Sequence, residues 1–310
     1  MGTSGRWQLG FALALVTTTL WGAAPLAMTP LLAAMDPVTI SWYRYAGAGC
    51  VLFVLLGARG RLRLPRGGGA SAAVLFAIAA VTLSGNTVLY VSSLRYVAVP
   101  VAQVVVQLAP VLLMLGSMLV YRERFTAPQW MGFAVLVAGI AVFCIERLRA
   151  GGVALPRFGL GVGGVFLASV LWAIYGLAQK GLLRHGGSQT VLMGLYLAST
   201  VLMTPFATHA AVRSLSGLQL ALLVYLGAST LLGYGAFAAA LHHWESSKIS
   251  AVLALQPLPA LFGAHLLGRT WPEWYPPQPL GMVAVGAALV VVAGSLGCAL
   301  GDRLTKRAPR

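Results

Sequence analysis

Acidic side chains are scarce in this chain. Its 310 residues hold six, Asp36, Glu123, Glu146, Glu245, Glu273 and Asp302, against 21 lysines and arginines. None of the six falls clearly in the middle of an apolar run, which disfavours a cation pump driven by a buried carboxylate. Charge of either sign is also rare, at 9% of residues, and mean hydropathy is +0.85, which excludes an ordinary soluble domain. Cysteine is limited to Cys50, Cys144 and Cys298, all within apolar runs. An odd count without regular spacing implies neither a disulfide framework nor a metal site. A phosphate-binding glycine loop after a strand, a zinc-type histidine pair and a supported Ser–His–Asp set are missing as well, so nothing implies an enzyme or a cofactor.

What the chain does have is apolar sequence, 59% of it. Runs of about 20 residues recur from end to end, each long enough to cross a hydrocarbon core of roughly 30 Å. They lie at 9–32, 38–58, 70–93, 98–121, 128–146, 158–180, 189–209, 217–240, 249–268 and 279–300. This pattern predicts an all-α polytopic membrane protein of ten transmembrane helices, and it lacks the shorter alternating segments of a β-barrel. The first run outlasts the apolar core of a signal peptide and contains Trp21, Pro25 and Pro30, so it reads as the first helix of the mature protein.

The net charge of +15 then records orientation rather than a nucleic-acid partner. With the N-terminus in the cytoplasm, the inner set is Arg6, Arg59, Arg61, Arg63, Arg66, Arg122, Arg124, Lys180, Arg184, Lys248 and a basic tail over 301–310. The outer set is smaller: Arg95, Arg147, Arg149, Arg157, Arg213 and Arg269. The bias puts both termini in the cytoplasm of a plasma (inner) membrane, with the Arg147–Arg157 segment running against it.

The chain also repeats itself. Leu94–Arg122 set beside Leu241–Arg269 brings Leu94 onto Leu241, Val105 onto Val252, Leu108 onto Leu255, Pro110 onto Pro257, Gly116 onto Gly263, Leu119 onto Leu266 and Arg122 onto Arg269. Leu20-Trp21-Gly22 is echoed by Leu171-Trp172-Ala173. Each half, 9–146 and 158–300, would hold five helices. An odd number forces the second copy to run through the membrane inverted, the arrangement of many secondary transporters. Pro110 and Pro257 would kink the fourth and ninth helices at similar depths and act as hinges.

Several of these residues resemble a known family. Leu20-Trp21-Gly22, Arg44 in the second span, Asn86, Leu89-Tyr90, Ser93-Leu94, Tyr96, Gln103 and Gln107-Leu108-Ala109-Pro110 look like the EamA family of the drug/metabolite transporter superfamily. Arg122-Glu123-Arg124-Phe125, Gln129-Trp130-Met131-Gly132, Leu171-Trp172-Ala173-Ile174-Tyr175 and 246–261 agree. The resemblance covers about residues 9–300. It implies two inverted five-helix repeats and export of small metabolites, often amino acids. The chain departs at Thr270-Trp271-Pro272-Glu273-Trp274, where many relatives carry a glutamate.

Arg44 is the most informative single residue. A charge well inside a span costs roughly 2.5–3.5 kcal/mol on translocon scales, so it faces a bundle interior or a water-filled cavity more readily than lipid. Helical spacing adds further candidates for a cavity. Asn86, Tyr90 and Ser93 share one face, as do Gln103, Gln107 and Pro110, and as do Trp172, Tyr175 and Gln179. Trp21 with Thr17 and Pro25, Tyr234 in the eighth span, and Ser250 with Gln256 in the ninth complete the set. Amides, phenols and indoles among apolar surface suit a small zwitterionic or aromatic ligand. Each also has a plainer reading, since buried amides serve as interhelical glue. His242, His243 and Glu245 form a possible gate or proton-coupling cluster, with a solvated interface as the alternative. Together these residues predict a secondary transporter, monomeric or weakly dimeric, that exports an amino acid or related zwitterion by alternating access. Proton-coupled efflux of toxic compounds and a non-transporting receptor or scaffold are the rival readings.

Overall fold

Prolines and short polar residues set where the helices begin. Asp36 accepts the backbone N–H of Thr39 at 2.9 Å, and Pro37 opens the helix behind it. Ser216 and Gln219 cap each other reciprocally at the start of another. The computed structural model describes residues 6–60, 69–122, 126–150, 154–185, 187–244, 246–275 and 281–306, but not the side chains of 238, 241, 242, 246–248, 250 and 301–306. The helices are α1 (Trp7–Leu31), α2 (Pro37–Ala58), α3 (Gly69–Ser93), α4 (Val99–Val105), α5 (Leu108–Tyr121), α6 (Ala127–Arg149), α7 (Leu155–Leu182), α8 (Ser188–Met203), α9 (Gly217–His243), α10 (Ser246–Leu253), α11 (Pro257–Thr270) and α12 (Met282–Lys306). No strand occurs among the described residues. Ten spans are long and apolar enough to cross a membrane. An even number returns the chain to the side on which it began.

Packing follows an inverted pseudo-twofold. The first helix of each half lies on the third helix of the other, α1 on α9 and α7 on α3. The second helices pair with each other, α2 on α8, and so do the fifth, α6 on α12. Side chains repeat the relation in detail. Gly116 of α5 admits Leu177 of α7, where an added Cβ would come within 2.6 Å of Leu177 Cδ1. Gly263 of α11 admits Leu26 of α1 in the same way, at 2.4 Å. Thus Gly116 and Gly263, matched in the repeat, hold leucines that are themselves matched in the Trp21-to-Trp172 register. The α6 and α12 helices meet backbone to backbone: a Cβ on Gly294 would stand 2.3 Å from the backbone nitrogen of Leu136. Small residues let helices approach in this way where lipid offers no hydrophobic force between them.

The sequence predicts continuous, kinked fourth and ninth helices, and here the structure differs. The fourth span breaks between α4 and α5, and the ninth breaks between α10 and α11. Proline is the physical reason, because it cannot donate to the carbonyl four residues earlier. Pro110 leaves the Val106 carbonyl to the amide of Ala109 (2.9 Å), and Pro257 leaves that of Leu253 to the amide of Gln256 (3.1 Å). These bonds fall at matching positions of the two repeats. Pro110 is exposed on the first turn of α5, whereas Pro257 is buried and opens α11. Two other edges also differ from the sequence reading: α8 ends at Met203 and the chain continues in 3-10 turns, and α12 runs on to Lys306.

Candidate functional site

Arg44 extends from α2 toward α9. Its Nε donates to Thr230 Oγ1 at 2.5 Å, and that oxygen is free to accept because its own proton goes to the Leu226 carbonyl at 2.9 Å. The guanidinium is half-buried, and no carboxylate among the described residues pairs with it. Thr230 lies one turn from Tyr234 on α9, which sets the guanidinium at the edge of a ring cluster.

A run of aromatic rings lies beside it. Tyr45 and Tyr196 stack at 5.2 Å with planes 15° apart, and the Tyr45 hydroxyl hydrogen-bonds Thr87. Tyr196 meets Tyr234 edge-on at 6.1 Å. Trp21 packs on Tyr234 at 4.8 Å and on Phe237 at 5.9 Å, and Trp172 packs against the same core cluster as Tyr234. Buried Tyr175 shares a core cluster with Tyr45 and Tyr196. Four candidates from the sequence, Arg44, Trp172, Tyr175 and Tyr234, therefore come together in one place. Trp21 joins them through Tyr234, whereas Tyr90 packs against two neighbouring core clusters.

The pseudo-twofold shows what is unusual here. Carrying the Trp21-to-Trp172 register into the second spans sets Tyr45 on Tyr196, so the stacked pair straddles the axis. The Gln107-to-Ala254 register sets Thr87 on Tyr234, so the Tyr45–Thr87 contact is mirrored by Tyr196–Tyr234. In the same registers Arg44 falls on Leu195 and Thr230 on Leu83. Both leucines are completely or almost completely buried in one core cluster. Both pairs span the two halves: on one side of the axis the fold carries a charged hydrogen-bonded pair, Arg44 with Thr230, and at the mirrored position two leucines.

The amides went elsewhere. Asn86 Nδ2 donates to the Ala168 carbonyl of α7 at 2.7 Å, and its mirror is Thr17 Oγ1 donating to Gly233 of α9 at 3.2 Å. Gln103 Nε2 donates to the Trp21 carbonyl at 3.3 Å, an acceptor left open because Pro25 sits four residues on. Gln107 Nε2 donates to the Ala254 carbonyl at 2.9 Å, across the two helix breaks. Gln256 lies in the second break, with its backbone carbonyl against Gly22, the neighbour of Trp21 in α1. Buried polar atoms without a partner include Trp21 Nε1, Tyr90 Oη, Tyr196 Oη and Gln103 Oε1. Sequence reasoning missed Tyr45, Tyr196, Thr230 and Phe237. The usable signal was a tyrosine in mid-span rather than at an interface.

Tyrosines at or just beyond the ends of α5 and α11 tie opposite repeats together. Tyr121, ending α5, donates to the Leu177 carbonyl of α7 at 3.0 Å, with Lys180 Nζ 4.4 Å over its ring. Tyr275, beyond α11, donates to the Leu26 carbonyl of α1 at 2.6 Å, an acceptor left open by Pro30. Inversion places these two contacts on opposite faces. Of the proposed gate cluster, Glu245 and the His242 side chain lie outside the described residues, and His243 is half-buried at the end of α9. Among the described residues no group of three or more His, Cys, Asp or Glu could hold a metal.

Residues 8–145 and 159–292 each match the EamA-like transporter family. The chain belongs to that family. It is 36% identical over 302 residues to the uncharacterized inner membrane transporter YhbE of Escherichia coli K12, covering 96% of this chain and 92% of that protein. An uncharacterized transporter of Haemophilus influenzae is 33% identical over 300 residues, with 96% of both chains covered. A probable amino-acid metabolite efflux pump of Salmonella typhimurium is 26% identical over 186 residues, covering 56% of this chain and 58% of that protein. One solved structure, 20% identical, superposes with a TM-score of 0.65 over 98% of this chain and 100% of that one, which shows the shared fold. This EamA protein is thus a membrane transporter, embedded in a lipid bilayer and acting on a small molecule.

Proposed function

We propose that this transporter exports a small carboxylate-bearing metabolite, an amino acid or related zwitterion, by alternating access across an inner membrane with both termini in the cytoplasm. The carrying observation is the asymmetry at Arg44. The pseudo-twofold builds the mirrored position from Leu195 and Leu83, so the fold tolerates an apolar pair there, and a half-buried cation without a counter-ion is otherwise costly. A guanidinium with one hydrogen bond made and its fork open suits a carboxylate. Alternating access draws support from Tyr121 and Tyr275, which tie opposite repeats together on opposite faces, and from the two breaks before Pro110 and Pro257, where the helices can hinge. The distant Salmonella relative, named an amino-acid metabolite efflux pump, agrees in kind.

The test compares metabolites released by cells expressing wild type, Arg44→Gln or an empty vector at matched membrane levels. A carboxylate released by wild type alone is expected. Equal release from all three refutes export, and equal release from wild type and Arg44→Gln refutes this site.

A further inference from the structure

The ring cluster and its unpartnered atoms specify more of the ligand than a carboxylate. We infer, building on the export reading of this site, that it reads a planar aromatic ring together with a carboxylate, and tolerates an α-ammonium without recognising it. Three observations carry this.

First, the groups that can only donate, Trp21 Nε1 and the open Arg44 fork, outnumber the one that can only accept, while the tyrosine hydroxyls can do either. Trp21 Nε1, Tyr90 Oη and Tyr196 Oη are buried without a hydrogen-bond partner, and the Arg44 fork makes one bond through Nε. Tyr196 is completely buried. Against these stands one partnerless acceptor, Gln103 Oε1, in a side chain only 3% exposed. Buried donors left open cost free energy unless something accepts from them, so the complement is a ligand rich in acceptor oxygens.

Second, nothing among the described residues would hold an ammonium by charge. Asp36 is spent on the N-terminus of α2, Glu146 lies at the end of α6, and Glu273 is exposed beyond α11. Among the described residues the only full charge beside the cluster is positive, and it repels a cation. The tyrosine and tryptophan faces alone would form a cation–π box, but the Arg44 guanidinium, held on Thr230 one turn from Tyr234, stands beside it.

Third, the apolar walls are flat. Tyr45, Tyr196, Tyr234, Trp21 and Phe237 form a continuous chain of ring contacts between 4.8 and 6.1 Å. Aromatic partners prefer this offset and edge-on spacing, so a ring of the ligand extends the series where an aliphatic chain would not.

The probes are four small molecules that separate these features: 3-phenylpropionate (ring and carboxylate), phenylalanine (ring, carboxylate and ammonium), phenethylamine (ring and ammonium) and hexanoate (carboxylate alone). Binding to purified protein in nanodiscs is followed by tryptophan fluorescence and confirmed calorimetrically, and movement is followed separately in proteoliposomes. The expected order is 3-phenylpropionate equal to or tighter than phenylalanine, hexanoate at least tenfold weaker, and phenethylamine not bound. Arg44→Gln should weaken both ring-bearing carboxylates at least tenfold, and Arg44→Lys, which keeps the charge without the fork, should restore only part of this. Phenethylamine binding as tightly as the acid overturns the inference. So does phenylalanine binding at least tenfold tighter than 3-phenylpropionate, or no binding by any of the four. Arg44-dependent binding without movement supports the ligand class and refutes the export reading. Movement confined to solutes lacking a carboxylate refutes the ligand class and keeps transport.

Discussion

Replacing Gln107 with leucine separates a structural amide from a substrate-binding one. Gln107 is 4% exposed and donates to the Ala254 carbonyl at 2.9 Å, joining the break of the fourth span to that of the ninth. The Ala254 carbonyl has no second donor in its own helix, because the amide four residues on, Leu258 N, bonds Leu255 at 2.9 Å. Hydrogen bonds between membrane helices average about 0.6 kcal/mol, since the partners usually find substitutes. Here the substitute is missing, and an orphaned buried carbonyl costs about 1–3 kcal/mol. Leucine is close to glutamine in size, so packing changes little. A loss of about 2 kcal/mol lowers the folding equilibrium roughly 30-fold. Unfolding in mixed detergent micelles reads this directly. Ser169→Ala is the control. Its hydroxyl bonds the Val165 carbonyl at 2.8 Å within one helix, where that carbonyl keeps its backbone amide, so the change is expected below about 0.5 kcal/mol. Gln107→Leu unfolding like wild type would refute the reasoning. Lost ligand affinity at unchanged stability would return Gln107 to the substrate site.

Other outcomes follow from the same contacts. Gly294→Ala drives a methyl into the Leu136 backbone and should destabilise by about 1–3 kcal/mol, while Gly286→Ala, with nothing within 4 Å, should be neutral or slightly stabilising by thermal unfolding. Tyr275→Phe should raise hydrogen exchange at the C-terminal turn of α1, and Tyr121→Phe should do so at that of α7; identical patterns would contradict the assignment to opposite faces. At Asp36, partial burial raises the carboxyl, but hydrogen bonds from the Thr39 hydroxyl and the Thr39 and Val38 amides outweigh it and hold the group below its ordinary 3.8. A lowered folded value means stabilisation that is full above the ordinary value and lost as pH falls through the folded one. Wild type should therefore exceed Asp36→Asn in stability near neutral pH and converge with it in acid, and a gap that persists in acid would contradict this.

Much of the architecture was legible because hydropathy reports lipid exposure directly. All ten spans, the inverted repeat and the exceptional status of Arg44 follow from composition and spacing. The roles of the amides were not legible. Gln103 looks the same on a helix face whether it binds a ligand or serves the Trp21 carbonyl. The deciding fact is Pro25, in a different helix that only the fold brings near. The breaks in the fourth and ninth spans were hidden likewise, since a membrane proline is compatible with a kink, a hinge or a stop. Tyr45 and Tyr196 escaped because the longer repeat, Leu94 onto Leu241, does not align them, and the Trp21-to-Trp172 register that does rests on a three-residue echo. Only the packing of α2 on α8 shows that they meet.

The central claim is that Arg44 and Thr230 serve the substrate and not the fold, and the protein carries its own control for this. The double variant Arg44→Leu, Thr230→Leu rebuilds the Leu195 and Leu83 pair found at the mirrored position across the pseudo-twofold. Counterflow of 3-phenylpropionate in proteoliposomes, measured beside thermal unfolding, tests the claim most directly. The variant is expected to unfold at or above the wild-type temperature and to transport nothing. Transport at the wild-type rate, or a variant that fails to fold, would contradict the account.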